Sequence, residues 1–157
     1  MPIMKIFRLQ LIIMTLLAFG LASCDDPEIT TPNLYITHQN QAITAIQGVT
    51  NWWQGNSGVS FDSPHSLQLS EEDLGGATLF LEGMCSEISL RFSRQPSYIQ
   101  VLRWNVDDLG NTDTPPEAFA VQSGIITVAD SHYGWIWQVN AIWEQGDSNY
   151  TFRTIRY

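Results

Sequence analysis

The thiol of Cys24, which closes a long apolar run, is the group in this chain best placed for covalent chemistry, because a thiolate attacks where a hydroxyl at neutral pH does not. The second thiol, Cys85, sits in Gly83-Met84-Cys85-Ser86 with no general base near it in sequence. It is expected to be a lone, buried, small hydrophobe with no internal disulfide, an intermolecular bridge being the alternative. Asp62, Ser63 and His65 bring an acid, a hydroxyl and an imidazole together, the ingredients of nucleophilic hydrolysis. No G-x-S-x-G accompanies them, and Asp62-Ser63-Pro64 reads as a turn opener, Asp accepting backbone hydrogen bonds and Pro pushing Ser63 toward extended geometry. His38, His65 and His132 are widely separated, and neither H-x-x-x-H nor C-x-x-C spacing occurs, so zinc is not expected. Calcium has a better candidate in Asp107, Asp108, Asn111 and Asp113 around Gly110, although the spacing is not that of an EF-hand and a solvated acidic turn is the competing reading. Neither catalysis nor a cofactor is expected.

Tryptophan offers recognition chemistry instead. The chain holds six, with Trp52 and Trp53 adjacent. Neighbours on a strand point to opposite faces, so one of this pair is expected to face outward. Trp104, Trp135, Trp137 and Trp143 fit core positions. An exposed indole beside Tyr35, Tyr98 or Tyr133 would form a platform for a sugar ring or a protein surface, which makes Trp52 and Trp53 the candidate binding residues.

The elements that must position these residues are strands. In Gly134–Trp143 a period of two places Trp135, Trp137, Val139, Ala141 and Trp143 on one face and Ile136, Gln138, Asn140 and Ile142 on the other. A turn signal at residues 145–148 leads into Tyr150 and Phe152, alternating with Thr151 and Arg153, which predicts a C-terminal hairpin. Ile88, Leu90 and Phe92 alternate in the same way, and after Pro96 the pattern resumes over 98–104. Further candidates are 34–37, 43–50, 77–81 and 124–129, while 70–74 has the makings of one helical turn. Seven to nine short strands separated by Gly, Pro, Asn and Asp turns predict an all-β fold, a single antiparallel immunoglobulin-like β-sandwich.

Ahead of that domain, Lys5 and Arg8 precede an almost continuously apolar segment, followed by the small residues Ala18, Gly20 and Ala22. The apolar run is too short to span a bilayer, which takes about 20 apolar residues. It reads as a cleaved signal peptide over residues 1–23, and Leu21-Ala22-Ser23-Cys24 resembles a bacterial lipobox. The resemblance implies diacylglyceryl transfer to the Cys24 thiol, cleavage before it, and a palmitate-bearing lipoprotein; a plain secretory signal is the alternative. Two acyl chains suffice for stable anchoring. Asp25 and Asp26 are similar to the signal that keeps such proteins at the inner membrane, and in a one-membrane bacterium the anchor would end at the same place, the outer face of the plasma membrane. Residues 24–33 read as an acidic, proline-bearing spacer of up to roughly 30 Å, and 34–157 as the domain.

Cleavage would remove two of the seven basic residues and none of the 16 acids, leaving a formal charge of −11 on 134 residues. A surface of that sign repels phosphates, which argues against nucleic acid and anionic head groups as partners. The frame Gly48-x-x-x-Trp52, Gly58, Asp62-Ser63-Pro64-x-x-Leu67 and Gly134-x-x-Trp137-x-Val139-x-Ala141-x-Trp143 with Tyr150-x-Phe152 resembles small, uncharacterised β-rich lipoproteins of low-GC Gram-positive bacteria. That resemblance implies a fold class and no activity. The expected function is that of a non-enzymatic, membrane-anchored extracytoplasmic lipoprotein binding a protein or envelope glycan. The alternative is an accessory or inhibitor domain acting on an extracytoplasmic enzyme such as a protease through the loop 109–118 with Pro115-Pro116.

Overall fold

A computed structural model describes residues 29–157; the signal segment, Cys24 and residues 25–28 of the spacer lie outside the described residues. Strands β1 (Leu34–His38), β2 (Gln41–Thr44), β6 (Ser86–Phe92) and β9 (Ile125–Val128) form a four-stranded sheet in the order β2-β1-β6-β9. The second sheet runs β4-β3-β11-β10-β7-β8, from β3 (Ile46–Gln54), β4 (Ser57–Phe61), β7 (Tyr98–Asn105), β8 (Glu117–Phe119), β10 (Gly134–Trp143) and β11 (Gly146–Arg156). The seventh strand, β5 (Thr78–Leu81), pairs in parallel with the end of β11, beyond the stretch of β11 that pairs with β3. Every other pairing is antiparallel, and the two sheets pack as a β-sandwich. Among the described residues, no helix is long and apolar enough to cross a membrane.

Alternation explains the core. Trp137, Val139, Ala141 and Trp143 from β10 and Tyr150 and Phe152 from β11 meet Leu34, Ile36, Ile88, Leu90, Ile126 and Val128 of the smaller sheet. Burying such side chains contributes about 1.5–3 kcal/mol each. The opposite face of β10 and β7 is not uniformly solvated: Ile136 and its cross-strand partner Trp104 are buried with Leu67 and Leu74 in a second, smaller cluster. Leu67 comes from a 3-10 turn, Ser66–Gln68, and Leu74 from a one-turn helix α1, Glu71–Gly75, capped by reciprocal hydrogen bonds between Ser70 and Asp73. These elements cover one half of the outer face of the seven-stranded sheet and leave the other half bare.

The covered end is closed by Arg103, which is only 8% exposed. Its guanidinium lies 3.8 Å from the Trp135 ring and 4.4 Å from that of Phe119, and makes a bidentate pair with Glu117 and a 2.8 Å bond to Asp130. Burial pulls the Asp130 carboxyl upward, but hydrogen bonds from Arg103, the Trp135 indole and the His132 amide together hold it below its ordinary value.

The structure differs from the sequence reading at four points. Among the described residues there are eleven strands, not seven to nine: the 43–50 run divides at Ala45 into β2 and β3, and the short strands β4 and β8 join as sheet edges. The hairpin turn sits earlier than 145–148, because Trp143 pairs directly with Gly146 and leaves Glu144-Gln145 as a two-residue loop. Cys85 is exposed, since it falls in the turn before β6, where Gly83 takes φ +74°, and not on the strand. Residues 29–33 are not a free spacer: Pro32 is buried, Ile29 packs against the core, and Asn33 exchanges hydrogen bonds with Ser93.

The Tyr150 hydroxyl donates to the Pro32 carbonyl at 2.6 Å, and burial pushes this phenol up to about 12, so it remains a donor at any ordinary pH. Tyr150→Phe is expected to cost about 1 kcal/mol and to release residues 29–33, read as faster amide exchange there with the core amides unchanged.

Candidate binding face on the seven-stranded sheet

Trp52 and Trp53 part company as strand alternation requires. Trp52 is fully buried, edge-on to Trp143 at 5.4 Å, and serves the core, not a surface site. Trp53 is 60% exposed and is the only exposed tryptophan of the six. Its position is fixed by its cross-strand partner Gly58: a Cβ placed on that glycine would stand 2.6 Å from indole Cδ2, so the ring lies across the bare backbone of β4. One face of the indole is backed by glycine and the other is free, an arrangement suited to stacking.

The pairing registers place Ser60, Asn51, Asp147, Ile142 and Tyr98 in one row across the outer face of β4, β3, β11, β10 and β7. Tyr98 is 55% exposed and Ile142 46%. Ser60 donates to Asn51 at 2.8 Å, and the Asn51 amide reaches Asp147 at 3.4 Å. One row further along, Ser66 donates to Gln138 at 2.7 Å, Gln138 to Asn140 at 2.7 Å, and Asn140 to Gln100 at 3.2 Å. These are two hydrogen-bonded relays of amides and hydroxyls, each member held by its neighbour.

The face continues into a groove of about 520 Å³ walled by His65, Trp104, Pro115, Gln138, Val49 and Asn149. A hollow of about 280 Å³, lined by Val49, Asn140, Ile142, Asp147 and Asn149, adjoins it through Val49 and Asn149. No basic side chain belongs to this surface. Arg153 pairs with Glu71, Arg103 is enclosed, Arg156 donates to the Val128 carbonyl, Arg94 lies over the buried Trp52, and Arg91 is on the smaller sheet.

The remaining sequence candidates do not converge. His65 Nδ1 accepts from the Leu67 amide and its ring packs edge-on to Trp104, while Ser63 Oγ donates to the Pro64 carbonyl, so neither is hydrogen-bonded to the other or to Asp62. Among the described residues, no three His, Cys, Asp or Glu side chains are grouped to hold a metal ion, and Asp107, Asp108, Asn111 and Asp113 lie along turns closed by backbone bonds. The loop 109–116 is tied to the sheet, Gly110 N–H donating to Leu67 O and the Trp104 indole to Thr114 O at 2.9 Å. Of the tyrosines singled out beside an exposed tryptophan, Tyr98 shares the bare face with Trp53, whereas Tyr35 is on β1 of the other sheet and Tyr133 precedes β10 at the opposite end. The amides were missed as a group because their signal is weak in one strand: Gln138 and Asn140 alternate with core residues, and only the register brings Gln100 and Asn149 beside Asn140 and sets Asn51 in the neighbouring row.

No protein-family model matches the chain, and no curated protein or solved structure is similar to it.

Proposed function

We propose that this chain is a non-enzymatic, lipid-anchored binding module on the outer face of the plasma (inner) membrane, engaging a protein or envelope glycan through the bare half of its larger sheet. The observation that carries the reading is the exposed Trp53 indole, laid flat over Gly58 at the edge of a preorganised polar surface. An indole at 60% exposure gives up burial worth about 1.5–3 kcal/mol unless a partner supplies it. The lipobox-like Leu21-Ala22-Ser23-Cys24 supports the anchor. A cleft-entering inhibitor loop gains no support, because loop 109–116 is held down on the sheet.

Hydroxyl-radical footprinting of the full chain tests the face. Trp53 and Tyr98 are expected to be protected in the native envelope relative to the purified, detergent-solubilised protein, with Tyr133 equally oxidised in both. Equal oxidation of Trp53 in both states overturns the reading. Cys24→Ser is expected to abolish palmitate labelling and to release the protein from the membrane fraction; persistent labelling would refute the anchor.

A further inference from the structure

We infer that the occupant of this face is a neutral, pyranose-based oligosaccharide, lying across the strands from Trp53 to Tyr98. The inference rests on the binding-face reading above and narrows it to one ligand chemistry.

Three features select the ligand. The first is the platform: a flat indole backed by Gly58 and a second exposed ring, Tyr98, three strands away. At about 4.8 Å per strand the two rings are roughly 14 Å apart across the sheet, the reach of an oligosaccharide and not of a single sugar. The apolar C–H face of a pyranose is the complement of such a ring.

The second is the polar surface beside the rings: Asn51 and Asp147 share the Tyr98 row, and Asn140, Gln100 and Gln138 follow it along the strands, on the side away from Trp53. Asn51, Asn140, Gln100 and Gln138 are carboxamides whose orientation is set by the bonds already described, and each retains donor or acceptor capacity beyond the bond that fixes it. Sugar hydroxyls, donors and acceptors at once, can use both. A protein partner would instead call for a contiguous apolar centre, and Ile142 is the one apolar side chain in the Asn51–Asp147–Tyr98 row.

Charge is the third. The surface holds Asp147 and the neighbouring turn residue Glu144, with no arginine among its side chains and no lysine anywhere in residues 29–157. An anionic polymer would meet like charge with nothing to neutralise it. The carboxylate of Asp147 is itself engaged by Asn51. A neutral polymer uses the amides without needing an ion pair.

The test titrates the full-length, detergent-solubilised protein with four hexasaccharides: chitohexaose and cellohexaose as neutral probes, hexagalacturonate as the acidic one and a chitosan hexamer as the basic one. The readouts are tryptophan fluorescence and calorimetry. At least one neutral hexamer is expected to bind saturably and at least tenfold more tightly than either charged one. Trp53→Ala removes the platform, and Gly58→Val tilts the indole while retaining it; each is expected to weaken that binding at least tenfold, with thermal midpoints confirming that both variants fold. Tyr133→Ala, at the far end, is expected to leave binding unchanged. Should Trp53→Ala fail to fold, Tyr98→Ala replaces it. Absence of binding by both neutral hexamers, tighter binding of a charged one, or undiminished binding by both platform variants overturns the inference. Footprint protection of Trp53 in the envelope together with no neutral binding would refute the ligand class and leave the binding face standing; loss of that protection would refute the face itself.

Discussion

Replacing Arg103 by Ala is expected to lower the unfolding free energy by about 3 kcal/mol, and by more than any other single charge deletion in the domain. At about 2–4 °C per kcal/mol for a chain of this size, the thermal midpoint should fall by roughly 10 °C. The reason is that three kinds of contact end together. The guanidinium lies against Trp135 and Phe119, fills the end of the sandwich at 8% exposure, and satisfies the carboxylates of Glu117 and Asp130. Glu117 is 58% exposed and recovers water readily, which keeps the estimate at the lower end of the range for a buried pair. Asp130, at 34%, recovers less. Arg103→Lys retains charge but loses the fork and the planar stack, and is expected to recover less than half of the stability.

The same cluster predicts a pH dependence. A carboxyl whose pKa is lowered in the folded state contributes stability that is fully present above its unfolded value and is lost as pH falls through the folded one. For Asp130 that loss sets in below about pH 4. Urea midpoints measured down that range should decline less steeply in Arg103→Ala than in the parent, because the variant lacks the Arg103 hydrogen bond and charge that help to hold Asp130 low. Parallel declines would show that Asp130 draws its stabilisation from Trp135 and the His132 amide alone.

Gly146→Ala is the second large effect, expected at about 2–4 kcal/mol although the substitution adds one methyl group. Gly146 opens β11 at φ +150°, a backbone conformation that side chains resist. A Cβ there would overlap the Asn51 carbonyl oxygen and lie 3.1 Å from the Trp52 Cα, and these are backbone atoms that cannot turn aside. Relief requires β3 to move away from β11 where Gly146 pairs with Trp52. The predicted signature is therefore local as well as global: a lower urea midpoint, and faster amide exchange in β3 near Asn51 and Trp53 than in β7. An unchanged midpoint would mean that the β3–β11 pairing yields at no cost, contrary to the close approach seen here.

What was readable in the chain and what was not follows from burial. β10 and β11 announce themselves because one face of each meets the core and large side chains mark every second position; Trp137, Val139 and Phe152 define the period by themselves. β4, Ser57–Phe61, has one half-buried residue and four exposed ones, so nothing in Ser-Gly-Val-Ser-Phe distinguishes it from a loop until β3 is beside it. β8 is three residues long and half-buried at Phe119 alone. Cys85 was misplaced by its neighbours: Ile88 and Leu90 set the strand pattern, but the turn through Gly83 holds the thiol outside it. The division of Trp52 from Trp53 was legible from alternation. The amide relays were not, because register is a property of two strands, and no single segment records that Asn140 stands beside Gln100.

The attachment of residues 29–33 has a mechanical consequence. Any tension applied from the N-terminal side enters the fold where Pro32 meets Tyr150 and then reaches β1, which is hydrogen-bonded along both flanks, to β2 and to β6. A strand gripped on two sides must slide past both neighbours, breaking many bonds at once, whereas an edge strand peels one bond at a time. Because Tyr150 belongs to the larger sheet, part of the pull is shared between the two layers before β1 carries it. The domain is thus gripped at its N-terminal end in shear, the geometry that resists a pull applied from that side.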